Sequence, residues 1–200
     1  MTTQVLAALD LAATAVALVA LIVLHVLPTG LSLVDNPVSR YGITSYRQGY
    51  RALTVAMGVA GLAAAGSVVT RYPAQGRSAI AALLVVFGLC RLAISWWPMD
   101  APGQPRSSRG AIHVALAVGA FLAITIAAHR MQHVVGQLPQ LFGEAYGHAL
   151  AAAFWLLVIG LVGQLVTRRL DAQHRYCGAA ERVVYAGIYV LLMATGLRLV

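Results

Sequence analysis

The chain has 200 residues, of which 60% are hydrophobic and only 10% charged, and its mean hydropathy is +0.79. This composition excludes a soluble globular domain and indicates a membrane protein. The formal net charge of +8 does not indicate a nucleic-acid partner, because positive loops are a normal requirement of membrane topology and attract anionic headgroups. We therefore expect membrane lipids as partners and no nucleic acid, and the sequence carries no signal for an oligomeric state.

Six apolar stretches of helical length follow one another along the chain. A hydrocarbon core of roughly 30 Å is crossed by about 20 helical residues, and the backbone polar groups of such a segment must be satisfied internally. The runs are continuously apolar, which excludes the alternating strands of a β-barrel. The sequence predicts an all-α fold, a six-transmembrane-helix bundle that forms a single transmembrane domain over residues 1–200. The predicted helices are Val5–Val26, Ala52–Thr70, Ser78–Trp97, Ala111–His129, His148–Thr167 and Val183–Leu199.

The connection after the first helix is long for a helical hairpin and reads LPTGLSLVDNPVSRYGITSYRQGYR. Pro28 and Gly30 end the first helix, and Asn36-Pro37 marks a turn. The alternation of apolar and polar residues predicts a loop that folds back onto the bundle. The connection after the third helix, WWPMDAPGQPRSSRGAIH, carries Asp100 as its only acid.

Arg91 lies inside the third predicted helix, six residues before Trp97, so about 9 Å deep at 1.5 Å per residue. A guanidinium at that depth costs a few kcal/mol unless it reaches the interface or is paired. Three explanations stay open from the sequence. Arg91 extends toward the interface, pairs with Asp35 or Asp100, or grips an anionic headgroup, since the guanidinium fork suits phosphate.

Most of the other polar residues that call for an explanation lie at one membrane face. We call this face, which carries the connections after helices one, three and five, the odd side, and the opposite face the even side. Histidine, aspartate, serine and tyrosine side chains in one layer can bind a metal, supply acid–base chemistry or hold a lipid headgroup. Candidates for catalytic or metal-binding roles are His25, Asp100 and His113. Candidates for ligand binding are Arg91, Ser39, Tyr41, Asp35 and Asn36.

The histidine spacing does not support a haem site. His113 and His129 are sixteen residues apart on one helix, which at about 100° per residue places them on nearly opposite faces. No cofactor is predicted, and a metal ion enters only with the three candidates named above.

The arginine distribution predicts the membrane orientation. All fourteen basic residues are arginine, with nine on the odd side, four on the even side and Arg91 within the membrane. This asymmetry predicts cytoplasmic odd-side loops and external termini. The exclusive use of arginine, with much alanine and glycine, is typical of a GC-rich bacterial genome, so we expect a bacterial cytoplasmic membrane.

Two stretches resemble a known family. The segments LPTGLSLVDNPVSRYG and WPMDAPGQPRSSRGAIHVALAVGAF resemble the six-span prokaryotic membrane family called domain of unknown function 998, and more distantly the Frag/DRAM-type proteins linked to lipid remodelling. The resemblance implies the six-helix fold but no established activity, and it places the motif loop outside the cell, against the arginine count. Arg40 stands where many relatives carry an acid. The matching residues are Asn36, Val38, Ser39, Tyr41, Gly42, Pro98, Asp100, Gly110, Ile112 and His113.

Two classes of function fit these residues. The first is a non-enzymatic membrane protein that binds or moves a lipid-like or small amphipathic ligand through the odd-side polar pocket, which predicts an apolar groove leading to Arg91. The second is a membrane-embedded enzyme acting on a lipid headgroup, in a metal-dependent form with His25, Asp100 and His113 about 4 Å from one centre. The absence of a strong catalytic motif favours the first class.

Overall fold

The computed structural model describes residues 3–170 and 175–199. Within these residues the chain is helical without strands, which confirms the all-α class, and six helices are long and apolar enough to cross a membrane. The helices are α1 (Thr3–Val26), a 3-10 helix (Val38–Ile43), α2 (Arg47–Arg71), α3 (Ala74–Ile94), α4 (Ser108–Gln137), the short α5 (Pro139–Phe142), α6 (Glu144–Leu170) and α7 (Cys177–Leu199).

The six long helices form a closed ring. Each packs against the next along the chain, α4 against α6 across the short α5, and α7 returns to contact α1. Close approach depends on small residues: a Cβ at Gly58 of α2 would lie 2.9 Å from the Gly88 carbonyl oxygen of α3. α2 and α7 are the most enclosed of the spans, and they contact each other across the ring.

The helix ends differ from the sequence expectation where polar residues occupy the headgroup layer. α4 continues to Gln137 instead of ending at His129, while α3 ends at Ile94, before Trp97. Hydropathy reports where the hydrocarbon ends, and a helix can continue beyond that depth because headgroups and water satisfy its polar side chains.

Candidate functional site

The first connection folds back over the odd-side end of the bundle, as its sequence predicts, and is fixed to the beginning of α7. The Ala179 N–H donates to the Val34 carbonyl at 2.8 Å, and the Arg182 guanidinium donates to the Asn36 carbonyl at 2.9 Å. A Cβ at Gly178 would lie 2.4 Å from the Asn36 oxygen. Only glycine therefore allows the loop to dock this closely.

Three of the predicted ligand-binding residues serve this loop. The Asp35 carboxylate accepts from the Ser32 hydroxyl at 2.7 Å, and the Asn36 side-chain oxygen accepts from the Ser32 N–H at 3.1 Å. Tyr41 is completely buried, and its ring is tilted against His25 with 6.0 Å between centroids. These contacts order the loop, and none of the three residues lines the odd-side cavity described below.

His25 is engaged by an arginine. Its Nε2 accepts a hydrogen bond from the Arg182 Nε–H at 3.1 Å. An imidazole nitrogen that accepts is unprotonated, so the ring is neutral with its proton on Nδ1. In this arrangement His25 positions Arg182 beside the loop.

Asp100 caps the beginning of α4. Its carboxylate accepts from the Ser107 hydroxyl at 2.5 Å and from the Ser107 N–H at 3.0 Å, and the Ser107 hydroxyl oxygen accepts from the Gly110 N–H at 3.0 Å. These bonds satisfy donors that the first helical turn leaves free. A Cβ at Gly110 would overlap with the Asp100 carboxylate. The Ser107 hydroxyl and N–H lower the pKa of Asp100, because both stabilise its charged form.

His113, one turn further along α4, is buried and faces the bundle. Its Nδ1 lies 2.7 Å from the Trp97 carbonyl oxygen. A carbonyl only accepts, so Nδ1 carries the proton and Nε2 keeps a lone pair. His113 therefore ties the start of the connection after α3 to α4 and still offers an acceptor.

Arg91 is only 1% exposed. Its Nη2 donates to the Tyr185 hydroxyl at 2.7 Å and approaches the Met57 sulfur at 3.4 Å, and its guanidinium carbon lies 5.1 Å from the Tyr185 ring centroid. Of the explanations open from the sequence, extension to the interface is wrong. Pairing with Asp35 or Asp100 is also wrong, because the hydrogen-bond partners of Arg91 are the tyrosine and the methionine.

Glu181 is a buried acid that sequence reasoning missed, since it precedes the predicted start of the last helix. It is 5% exposed, and its Oε2 accepts from the Val38 N–H at 2.8 Å. Glu181, Tyr185 and Tyr189 follow one another at intervals of four residues, so they lie on the same inner face of α7. That polar stripe was the signal available in the sequence.

These groups border a cavity of about 280 Å³ at the odd-side end, between α4 and α6. Its walls are mainly apolar, and exposed apolar side chains such as Val118 and Leu165 stand at its rim. The predicted candidates that line it are Ser39, Arg91 and His113. The polar lining residues that sequence reasoning did not select are Tyr50, Gln164, Arg168 and Glu181.

Two donors in this lining lack partners. Arg91 Nε and Gln164 Nε2 are both buried, and neither is hydrogen-bonded within the described chain. Buried N–H groups are nearly always satisfied, so the cavity presents donors that a bound acceptor would complete.

A second, larger cavity of about 450 Å³ lies at the even-side end, against α4. Its polar lining residues His129, Arg130 and His133 are exposed, which makes it a surface cleft. The odd-side cavity is the stronger candidate because its charged groups are enclosed.

His25, Asp100 and His113 thus have separate partners. No group of three His, Cys, Asp or Glu side chains in the described part of the chain is placed to hold a metal ion. A metal-dependent role for these residues stays a prediction from the sequence.

Comparison with known families matches residues 11–198 to the family described as "Protein of unknown function (DUF998)". The match covers nearly the whole chain, so the chain belongs to this family, as the two motif stretches predict. Comparisons with curated proteins and with solved structures found no match.

Proposed function

We propose that this member of the DUF998 family binds or moves a small amphipathic, lipid-like molecule through the odd-side cavity. The observation that carries the proposal is the combination of an apolar opening between α4 and α6 with buried, unpartnered donors inside it. Ligand sites are typically apolar clefts with a few placed polar groups.

The polar groups indicate the chemistry of the headgroup. Arg91 and Gln164 each have a free N–H, which fits an acceptor oxygen of a phosphate, carboxylate or carbonyl group. Glu181 lines the same cavity and offers carboxylate oxygens to a hydroxyl or ammonium. A headgroup that both donates and accepts satisfies these residues best.

The proposed ligand would lie only partly within the cavity. About 280 Å³ is at the small end for ligand sites, enough for a headgroup or a short chain segment. An acyl chain would then lie along the exposed apolar side chains of Val118 and Leu165.

The test fills the cavity without touching its charges. Ala117 lines the cavity on α4, whereas Ala115, on the same helix, is exposed and does not. Purified wild type, Ala117→Trp and Ala115→Trp are titrated with a lysophosphatidylglycerol and with a monoacylglycerol of the same chain, and complexes are counted by native mass spectrometry. We expect a one-to-one complex in wild type and Ala115→Trp that Ala117→Trp loses.

Equal binding by all three proteins would reject the cavity as the site. A preference for the phosphate-containing probe would assign the headgroup contact to Arg91 and Gln164. A change in the mass of either lipid would instead favour the headgroup enzyme, for which we have no specific structural observation.

The proposal also includes the orientation predicted by the arginines, in a bacterial cytoplasmic membrane. On a background lacking native cysteines, Gln104→Cys should be labelled only from the cytoplasm and Gln140→Cys only from outside. Both positions are exposed in connections on opposite sides. The reverse labelling would overturn the orientation and leave the cavity proposal intact.

A further inference from the structure

Another buried ionisable residue, besides Arg91 and Glu181, lies in the half of the bundle opposite the odd-side cavity. Asp10 on α1 is completely buried, seven residues after the first described residue of the helix and therefore about 10 Å along it. This position is beyond the first turn, so its carboxyl does not serve the free N–H groups of the helix start. An ionisable residue inside the membrane is by default a functional candidate.

One oxygen of this carboxyl has no partner. The Thr14 hydroxyl donates to Asp10 Oδ1 at 3.2 Å, while Oδ2 is buried without a hydrogen bond from any of the described residues. Oδ2 faces the contact between α1 and α7, since a Cβ at Gly196 would lie 3.3 Å from it.

The charged and titratable groups around Asp10 do not supply a counter-charge. The Tyr146 phenol of α6 interacts with Asp10 electrostatically. Its hydroxyl forms a hydrogen bond of 2.7 Å with the Tyr72 hydroxyl. On α7 the Arg198 guanidinium donates to the carbonyls of Phe142 and Leu141 at 2.9 and 2.6 Å. Arg71, at the end of α2 on the same side of the bundle, is exposed.

We propose that Asp10 is a proton-binding site of the closed bundle, with the proton on Oδ2. An unpaired carboxylate in an apolar interior is so costly that the group takes up a proton instead. Releasing that proton requires α1 and α7 to separate at Gly196 so that water can reach the carboxylate. The Tyr146–Tyr72 pair extends from this point toward the even side, where α2 ends, and marks the side of exchange.

This site lies at the end of the bundle opposite the odd-side cavity, so it goes beyond the proposed ligand and does not depend on it. A folded protein that holds one more proton than the unfolded chain becomes less stable as pH rises. The ratio of folded to unfolded protein should fall about tenfold per pH unit above the usual carboxyl range.

The test is infrared spectroscopy of wild type, Asp10→Asn and Glu181→Gln at neutral pH, with thermal unfolding across the same pH range. Asparagine has the shape of the protonated acid and should keep the fold. We expect the carbonyl band of a protonated carboxylic acid in wild type and Glu181→Gln, its loss in Asp10→Asn, and a matching loss of pH dependence.

Aspartate carrying carbon-13 in its carboxyl group provides the same readout without a substitution, should Asp10→Asn fail to fold. The label moves the band only if an aspartic acid is protonated. Asp35 and Asp100 lie in exposed loops, and a labelled Asp171→Asn protein is the control for the fourth aspartate of the chain. Absence of a protonated aspartic acid band would overturn the proposal. So would stabilisation of wild type by sodium chloride over choline chloride that Asp10→Asn loses, because it would make Asp10 a cation ligand.

Discussion

Tyr185→Phe tests whether the buried arginine is stabilised through one hydroxyl. The substitution removes the oxygen that accepts from Arg91 at 2.7 Å. The Arg91 guanidinium, whose Nε already has no hydrogen bond within the described chain, then has a second nitrogen without that acceptor. Leaving a buried polar group unsatisfied costs about 1–3 kcal/mol, while hydrogen bonds in membrane bundles average about 0.6 and reach about 1.7 kcal/mol. We expect a loss of about 1–2 kcal/mol, which for a chain of this size lowers Tm by about 2–8 °C.

The measurement is thermal unfolding in one detergent, arranged as a double-mutant cycle with Arg91→Met. Replacing both partners by apolar groups is often nearly neutral, so Tyr185→Phe should cost less than about 0.5 kcal/mol in the methionine background. Tyr189→Phe is the matched control, because the buried Tyr189 hydroxyl has no hydrogen-bond partner in the described part of the chain and its removal should not destabilise. An equal cost of Tyr185→Phe in both backgrounds would refute the reasoning.

Three further predictions concern the odd-side motifs. Gly110→Ala should lower the free energy of unfolding by about 1 kcal/mol for the lost cap, despite the higher helix propensity of alanine. Gly136→Ala on the same helix, with open space around it, should be neutral or stabilising. Equal effects on Tm would contradict the overlap with Asp100. Because the pKa of Asp100 is lowered in the folded state, its stabilising contribution is complete above roughly pH 4 and is lost as the pH falls below that value. Ser107→Ala should reduce this fall of Tm at acid pH. An unchanged fall would assign it to other carboxyl groups. Gly178→Val should release the first connection, seen as faster proteolysis within it, and unchanged proteolysis would show that the loop is held elsewhere.

The spans and the location of the polar layer follow from the sequence, because apolar length and loop residues are local properties. The partner of Arg91 does not follow. Tyr185 is ninety-four residues away, and only the ring closure of α7 against the other helices brings the two together. The two acids named as possible partners, Asp35 and Asp100, instead accept bonds within their own loops.

Hydropathy also did not predict that Glu181 and Asp10 are buried. Glu181 lies just outside the apolar window that marks the last span, although the helix begins at Cys177 and buries it. Asp10 near the start of a helix suggests a favourable interaction with the helix dipole, but it lies seven residues into α1, beyond the first turn in which that interaction acts.

The two family motifs divide into residues that build the odd-side end and residues that face its cavity. The Asn36 backbone packs against Gly178, Gly110 leaves room for the Asp100 carboxylate, and Asp100 caps α4. Ser39 and His113 belong to the same motifs but line the cavity. Because the cap fixes the start of α4, on which His113 lines the cavity, a variant such as Gly110→Ala should weaken binding of lysophosphatidylglycerol as well as stability. Ala115→Trp, which disturbs neither the cap nor the cavity, should change neither the affinity for the lipid nor the stability. A Gly110→Ala protein that is less stable but binds with unchanged affinity would show that the motif residues do not shape the binding site.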